Sequence, residues 1–162
     1  MATTVTTGTT GTIKFEYTIA SILEEVESAT TNIASKLDEK DIESLDKYSL
    51  TADENFHFLN YLKDAHFNVI RVVKGITFGI VTPFVLDETK VSYTVVNKAA
   101  YNANILPVCD KVISTTLRNF IIKEWFLQCG LKDWAEYFNV KYLESLRIIS
   151  KYSISLRSGP IT

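Results

Sequence analysis

A chain of 162 residues with net charge −2, 46% hydrophobic and 22% charged side chains and few Gly or Pro is the size of one domain and has the apolar content of a packed one. That length leaves no room for a second catalytic domain within it, and the clustered basic excess by which dedicated nucleic-acid binders neutralise phosphates is missing. The charge is nevertheless uneven, −7 over residues 1–56, +1 over 57–110 and +4 over 111–162. Acidic and basic thirds either neutralise each other by folding together or meet between head-to-tail copies.

Residues 1–12 carry seven Thr, two Gly and no charge, which predicts a flexible arm over residues 1–14. It is either a free terminus or an arm that orders against a neighbouring subunit, since Thr favours strand addition. From Thr18 the pattern turns helical: Ile19, Ile22, Leu23, Val26, Ala29, Ile33 and Leu37 recur at three- and four-residue steps, opposite Glu24, Glu25 and Glu27. Thr18 is the expected N-cap, with Tyr17 and Ile22 as its hydrophobic staple. Residues 38–50 read as a charged connecting loop. Thr51 and Glu54 then have the spacing of a capping box. They announce a second helix with Leu59, Leu62, His66, Val69, Ile70 and Val73 on one face, widened by Phe58, Tyr61 and Ala65, and an end near Gly75.

After Pro83 the period shortens to two. Phe84, Val85 and Leu86, a turn over residues 87–90, and Val91, Tyr93 and Val95 alternating with Ser92 and Thr94 predict a small β-hairpin near residues 84–96. A hairpin of that size is marginal alone, so it must pack on helices or join a neighbour's sheet. A long helix follows, with Pro107 in its first turn, an apolar face of Val108, Val112, Leu117, Phe120, Ile121, Trp125 and Leu127, and Gly130 as its stop. Leu131, Ala135, Phe138, Tyr142, Leu146 and Ile149 set the face of a fourth helix, paired antiparallel with the third. The expected fold is mainly α with a minor β part: a four-helix bundle-like domain over residues 15–157, a hairpin, an N-terminal arm and a tail over 158–162.

Motifs for chemistry are sparse. His57 and His66 are nine apart, not the i, i+4 spacing of a zinc-binding face, and neither neighbours a cysteine in sequence. His66 on an apolar stripe reads as a hydrogen-bonded, half-buried core residue. Cys109 and Cys129 lie on one predicted helix, roughly 30 Å apart, and read as reduced core thiols. No Gly-x-Ser-x-Gly turn, nucleotide-binding glycine loop or pair of facing carboxylates is present. Trp125, Trp134, Tyr137 and Tyr142 fall at helical spacing, where aromatics are core more often than a stacking surface for bases. No catalytic residue, metal or cofactor is expected. Residues 69–86 are the most apolar stretch, but Arg71, Lys74 and Pro83 interrupt them, so no membrane span is expected.

The order of these elements resembles the small neck, or head-to-tail adaptor, virion proteins of tailed bacteriophages that infect gut Bacteroidota, including the crAss-like group. The resemblance rests on Phe-Glu-Tyr-Thr-Ile-Ala-Ser-Ile-Leu-Glu-Glu-Val at 15–26, Thr-Ala-Asp-Glu at 51–54 and Val-Ser-Tyr-Thr-Val-Val at 91–96. It continues with Phe-Ile-Ile-Lys-Glu-Trp at 120–125, Asp-Trp-Ala-Glu-Tyr at 133–137 and Leu-Arg-Ile-Ile at 146–149. It implies a non-enzymatic subunit of a homo-oligomeric ring between portal and tail, with about twelve copies as closed rings allow. Portal and other neck or tail proteins would be its partners, packaged DNA would lie near, and it would sit in the virion after assembly in the host cytoplasm. The C-terminal tail keeps only Arg157, Gly159 and Pro160 where such proteins often end in a longer basic run, which weakens a DNA-channel role for it. Residues expected at subunit contacts are Thr3, Thr4 and Val5 of the arm, Tyr93 and Val95 of the hairpin, and Lys141, Arg147, Lys151 and Arg157 of the basic third. The alternatives are a tail-tube, tail-completion or capsid-associated protein, a regulatory helical binding module, and an enzyme whose site leaves no motif.

Overall fold

A computed structural model describes residues 6–7, 12–37, 47–74, 85–86, 89–96 and 106–157, with side-chain burial for 14–37, 47–72, 89–94 and 107–151. In chain order these form β1 (Thr6–Thr7), β2 (Thr12–Thr18), α1 (Ile19–Leu37), a 3-10 turn (Ala52–Glu54) running into α2 (Asn55–Lys74), β3 (Val85–Leu86), β4 (Lys90–Val96), α3 (Leu106–Gln128) and α4 (Lys132–Arg157). The mainly α architecture with a small antiparallel sheet is the one expected from the periodicity.

The sheet is larger than a hairpin. Its strand order is β1-β2-β4-β3, and every pair is antiparallel. Part of the stretch expected to be a flexible arm is strand: β1 lies within residues 1–14 and β2 begins at Thr12. The physical reason is alternation. Phe15 and Tyr17 point to one face, opposite Tyr93 and Val91 in the register, and all four are buried. The cross-strand partner that the hairpin needed is thus supplied by the same chain. On the other face Lys14 and Lys90 flank the Glu16 carboxylate at 2.5 and 3.3 Å, which holds that carboxyl below the usual range, the Lys14 ammonium contributing most.

α1 begins where β2 ends. The Thr18 hydroxyl accepts the Ser21 N–H at 3.3 Å, as an N-cap does, and the Ile19 N–H donates to the Thr89 carbonyl at 2.9 Å, fastening the helix start to the turn before β4. Tyr17 and Ile22, the expected staple, are both buried in the core. The capping box is present as read: the Thr51 N–H donates to Glu54 Oε2 at 2.9 Å and Thr51 Oγ1 accepts from the Asp53 N–H at 3.3 Å. It opens the 3-10 turn that leads into α2.

The buried face of α2 is Phe58, Leu62, Ala65, His66 and Val69. Leu59, expected inside, is exposed, because the buried face is centred on Phe58, Leu62 and Ala65, two of which the pattern placed at its edge. α3 is the central helix, packed against α1, α2 and α4. It is therefore buried on several sides, through Ile113, Leu117, Phe120, Ile121, Ile122, Trp125 and Phe126. Val108 and Leu127, placed on its apolar face by the sequence, are exposed at its two ends.

α3 ends in a Schellman turn. The Leu131 N–H donates to the Phe126 carbonyl at 2.9 Å, the Gly130 N–H to the Leu127 carbonyl at 3.2 Å, and Gly130 adopts φ +78°. Side chains with a Cβ rarely adopt that backbone conformation, so glycine belongs here. The expected antiparallel α3–α4 pairing follows and is the most extensive helix contact in the molecule. The α4 face of Ala135, Phe138, Tyr142 and Ile149 is buried as read.

The end of the expected solvated loop is core. Leu50 is fully buried, and its N–H donates to Thr30 Oγ1 at 3.0 Å, while that hydroxyl itself donates to the Val26 carbonyl at 3.0 Å. Trp125 Nε1 donates to the Tyr48 carbonyl at 2.8 Å. Residues 47–50 are thereby tied to both α1 and α3. Residues 38–46, 97–105 and 158–162, which carry the remaining loop and tail expectations, lie outside the described residues.

Candidate binding trough and outer faces

α1 and α4 both pack on α3, and between them, with α3 as floor, lies an open trough of about 680 Å³. Ala29, Asn32, Ile33 and Lys36 line it from α1, Thr115, Arg118 and Asn119 from α3, and Trp134, Tyr137, Lys141, Glu144 and Ser145 are among those from α4. A second hollow of about 400 Å³, lined by Ser21, Glu24, Glu25 and Ser28, shares Ala29, Asn32 and Arg118 with the first. The two form one channel along α1, with Arg118 between them.

The electrostatics of the trough centre on Arg118. Its Nη1 lies 3.9 Å from Glu25 Oε2, beyond hydrogen-bond distance, and its buried Nε has no acceptor. A guanidinium offers five donors in a planar fork, and this one has much of that capacity unspent. Asn119 beside it is 3% exposed. Lys36 and Lys141 add cationic charge at the rim, with Lys141 Nζ 5.7 Å from the Tyr137 ring centroid. Tyr137 in turn meets Trp134 edge-on at 5.9 Å. Sequence reading missed Arg118, Asn119 and Asn32. The available signal was a charged and an amide side chain set side by side inside the apolar run of α3.

The residues expected at subunit contacts divide four ways. Tyr93 is fully buried, its hydroxyl 3.0 Å from His66 Nδ1, and its ring meets Tyr17 edge-on at 6.4 Å. It is a core residue and not available to a partner; its place in the pleat, facing the helices, decides this. Lys141, Arg147 and Lys151 are exposed on α4. Thr3, Thr4 and Val5 lie outside the described residues. Val95 is described by its backbone, opposite Ile13 in the sheet, and Arg157 as the last residue of α4. Around Lys141 and Arg147 the outer face of α4 also carries apolar side chains: Tyr137, Val140 and Leu143 are 50%, 55% and 43% exposed. On α2, Phe56 and Phe67 face outward as well.

The acidic and basic thirds share one bundle. Among the described residues the pair crossing between them is the long one, Glu25 with Arg118; the others join Glu16 to Lys14 and Lys90, and Lys123 to Glu124. Glu24 remains exposed on α1.

The titratable core groups are built for structure. Burial lowers the His66 pKa and raises that of Tyr93 well above the ordinary phenol value, so the pair is neutral across the physiological range. Tyr17, buried and lying 2.9 Å from Asp110 Oδ1, is likewise held protonated. Burial pushes both Cys109 and Cys129 up to about 11, which keeps the free thiols protonated and weakly nucleophilic. No group of three His, Cys, Asp or Glu side chains among the described residues converges as metal ligands, and no described helix is long and apolar enough to cross a membrane.

His66 makes stability depend on pH. In the unfolded chain it takes up a proton near pH 6.5, whereas in the fold its pKa is lower. Stability is full above the unfolded value and falls as pH drops from there through the folded value. Melting temperature is expected to fall between about pH 7 and pH 5, with a shallower slope in His66→Gln. Parallel slopes in the two proteins would remove His66 as the cause.

The chain matches no family model, no curated protein and no solved structure.

Proposed function

We propose that this protein is a structural subunit of a tailed-phage particle, a neck or head-to-tail adaptor that assembles as a homo-oligomeric ring between portal and tail. The observation that carries the assembly reading is the outer face of α4, where Tyr137, Val140 and Leu143 are exposed among Lys141 and Arg147. Exposed apolar groups ringed by charge are the composition of an interface. The acidic outer side of α1 supplies a surface of opposite sign, and two different patches that complement each other give a heterologous, ring-closing contact. The phage assignment itself rests on the sequence resemblance over residues 15–157. The role is mechanical: repeated subunit contacts match one ring to the next around a channel.

Light scattering over a concentration and salt series tests the assembly. The wild-type chain is expected at a multiple of its 18.3 kDa mass, losing mass as salt rises, and the double variant Val140→Asp with Arg147→Glu is expected to remain a monomer. Quantitative mass spectrometry of purified particles tests the location. A copy number equal or simply related to that of the portal supports the neck; capsid-like abundance moves the protein to the shell, and intermediate abundance to the tail. A monomer under all conditions, together with absence from particles, overturns the reading in favour of a regulatory binding module.

A further inference from the structure

We infer that the trough between α1 and α4 is a docking site for an extended acidic segment of a partner protein, with a carboxylate received by Arg118. Three observations converge. The Arg118 guanidinium sits where two hollows join, its nearest carboxylate is 3.9 Å away, and its Nε is buried without an acceptor. The side chain is 35% exposed, so a carboxylate entering the trough can reach the outer part of the fork and make charge-assisted hydrogen bonds there. Asn119, 3% exposed, lines the same floor. It offers one donor and one acceptor group to a passing peptide backbone. Lys36 and Lys141 stand on opposite walls and widen the positive field around Arg118.

Shape and charge select a peptide. Ser21 and Lys36, the ends of the α1 wall, are roughly 22 Å apart at the helical rise, a span of about six or seven extended residues. Ile33, Trp134 and Phe138 give apolar wall for alternate side chains of such a strand. A nucleic-acid strand would carry a charge at every nucleotide past Glu24, Glu25 and Glu144, which line the same channel. A peptide can place its carboxylates at Arg118, Lys36 and Lys141 and uncharged residues elsewhere. The site borders the proposed ring contact and shares Tyr137 and Lys141 with it, but Val140 and Arg147 are not among its lining residues, so variants there address the ring alone.

The test uses the full chain and the dye-labelled hexapeptide acetyl-Leu-Glu-Ile-Asp-Leu-Glu-amide, read by fluorescence anisotropy. Binding is expected to weaken with salt and to be lost when Gln and Asn replace the acids. Arg118→Ala is expected to weaken it at least about tenfold, which is ~1.4 kcal/mol. Arg118→Lys, keeping the charge without the fork, falls between. Should Arg118→Ala melt early, the exposed pair Lys36→Glu with Lys141→Glu carries the same expectation. No binding by the acidic peptide, or equal binding by its amide counterpart, overturns the inference. Displacement by succinate makes the site one for small carboxylates, and displacement by oligothymidylate makes it a phosphate groove; either also overturns it. The Val140→Asp, Arg147→Glu variant should bind the peptide as wild type does, so failure of the ring and failure of the trough are read separately.

Discussion

Phe126→Ala is expected to cost about 3 to 5 kcal/mol, the range for deleting a buried aromatic ring and leaving its cavity. Phe126 is fully buried on the central helix, with its ring 5.9 Å from that of Phe138 on α4. Its backbone carbonyl accepts the Leu131 N–H of the Schellman turn. The site is hemmed by a turn that fixes the spacing of two helices, so little collapse can fill the hole. At this chain length the loss lowers the melting temperature by on the order of 10 °C. The neighbouring Leu127→Ala, at a residue 54% exposed, should change stability by less than about 0.5 kcal/mol. Similar melting temperatures for the two variants would show that α4 is not seated on α3 as described.

Leu50→Ala is the second large effect, about 2 to 5 kcal/mol by the same cavity argument. Leu50 is fully buried although it closes a charged stretch of sequence. Truncation keeps its backbone N–H bond to Thr30, so the loss is packing alone. Thr30→Val reports the complementary half: it keeps the volume and leaves the buried N–H of Leu50 without its acceptor, a penalty of about 1 to 3 kcal/mol. Chemical denaturation of both variants separates the two contributions. A Leu50→Ala midpoint equal to wild type would return residues 47–50 to the solvated loop that their neighbours in sequence suggest.

That contrast shows what the sequence makes legible. The α1 stripe as far as Ile33, the α4 stripe, the Thr51 and Glu54 capping box and the Gly130 stop are local signals, set by spacing within one element, and the fold honours them, while Leu37 at the end of α1 is exposed. Leu50 is decided by Thr30 twenty residues away, and no local pattern reports that. β2 did carry its own signal, Phe15 and Tyr17 alternating with Lys14 and Glu16. The low-complexity threonines before it and the helical stripe after it divide that alternation between two other readings. The trough was illegible for a different reason. Arg118 and Asn119 become a floor only because α1 and α4 lean on α3 from different sides without closing over it. Tyr93 shows the converse: its alternation was read correctly as strand, but which face of the strand is covered depends on where the helices lie.

The two halves of the molecule also differ in how far along the chain their partners stand, which bears on the order in which they can form. Gly130 turns α3 back into α4 within a few residues, so that pair closes with little loss of chain entropy. β2 and β4 pair Phe15 with Tyr93, a closure spanning half the chain, and it is held to the helices by Tyr17 at Asp110 and by Tyr93 at His66. We expect the α3–α4 hairpin to be formed in the folding transition state and the sheet to join afterwards. Conservative truncations at Phe138 should then mainly slow folding, while those at Tyr93 mainly speed unfolding, in stopped-flow denaturant-jump experiments. In that order of events the seam between the sheet and the helices is the last part to close and the first to open.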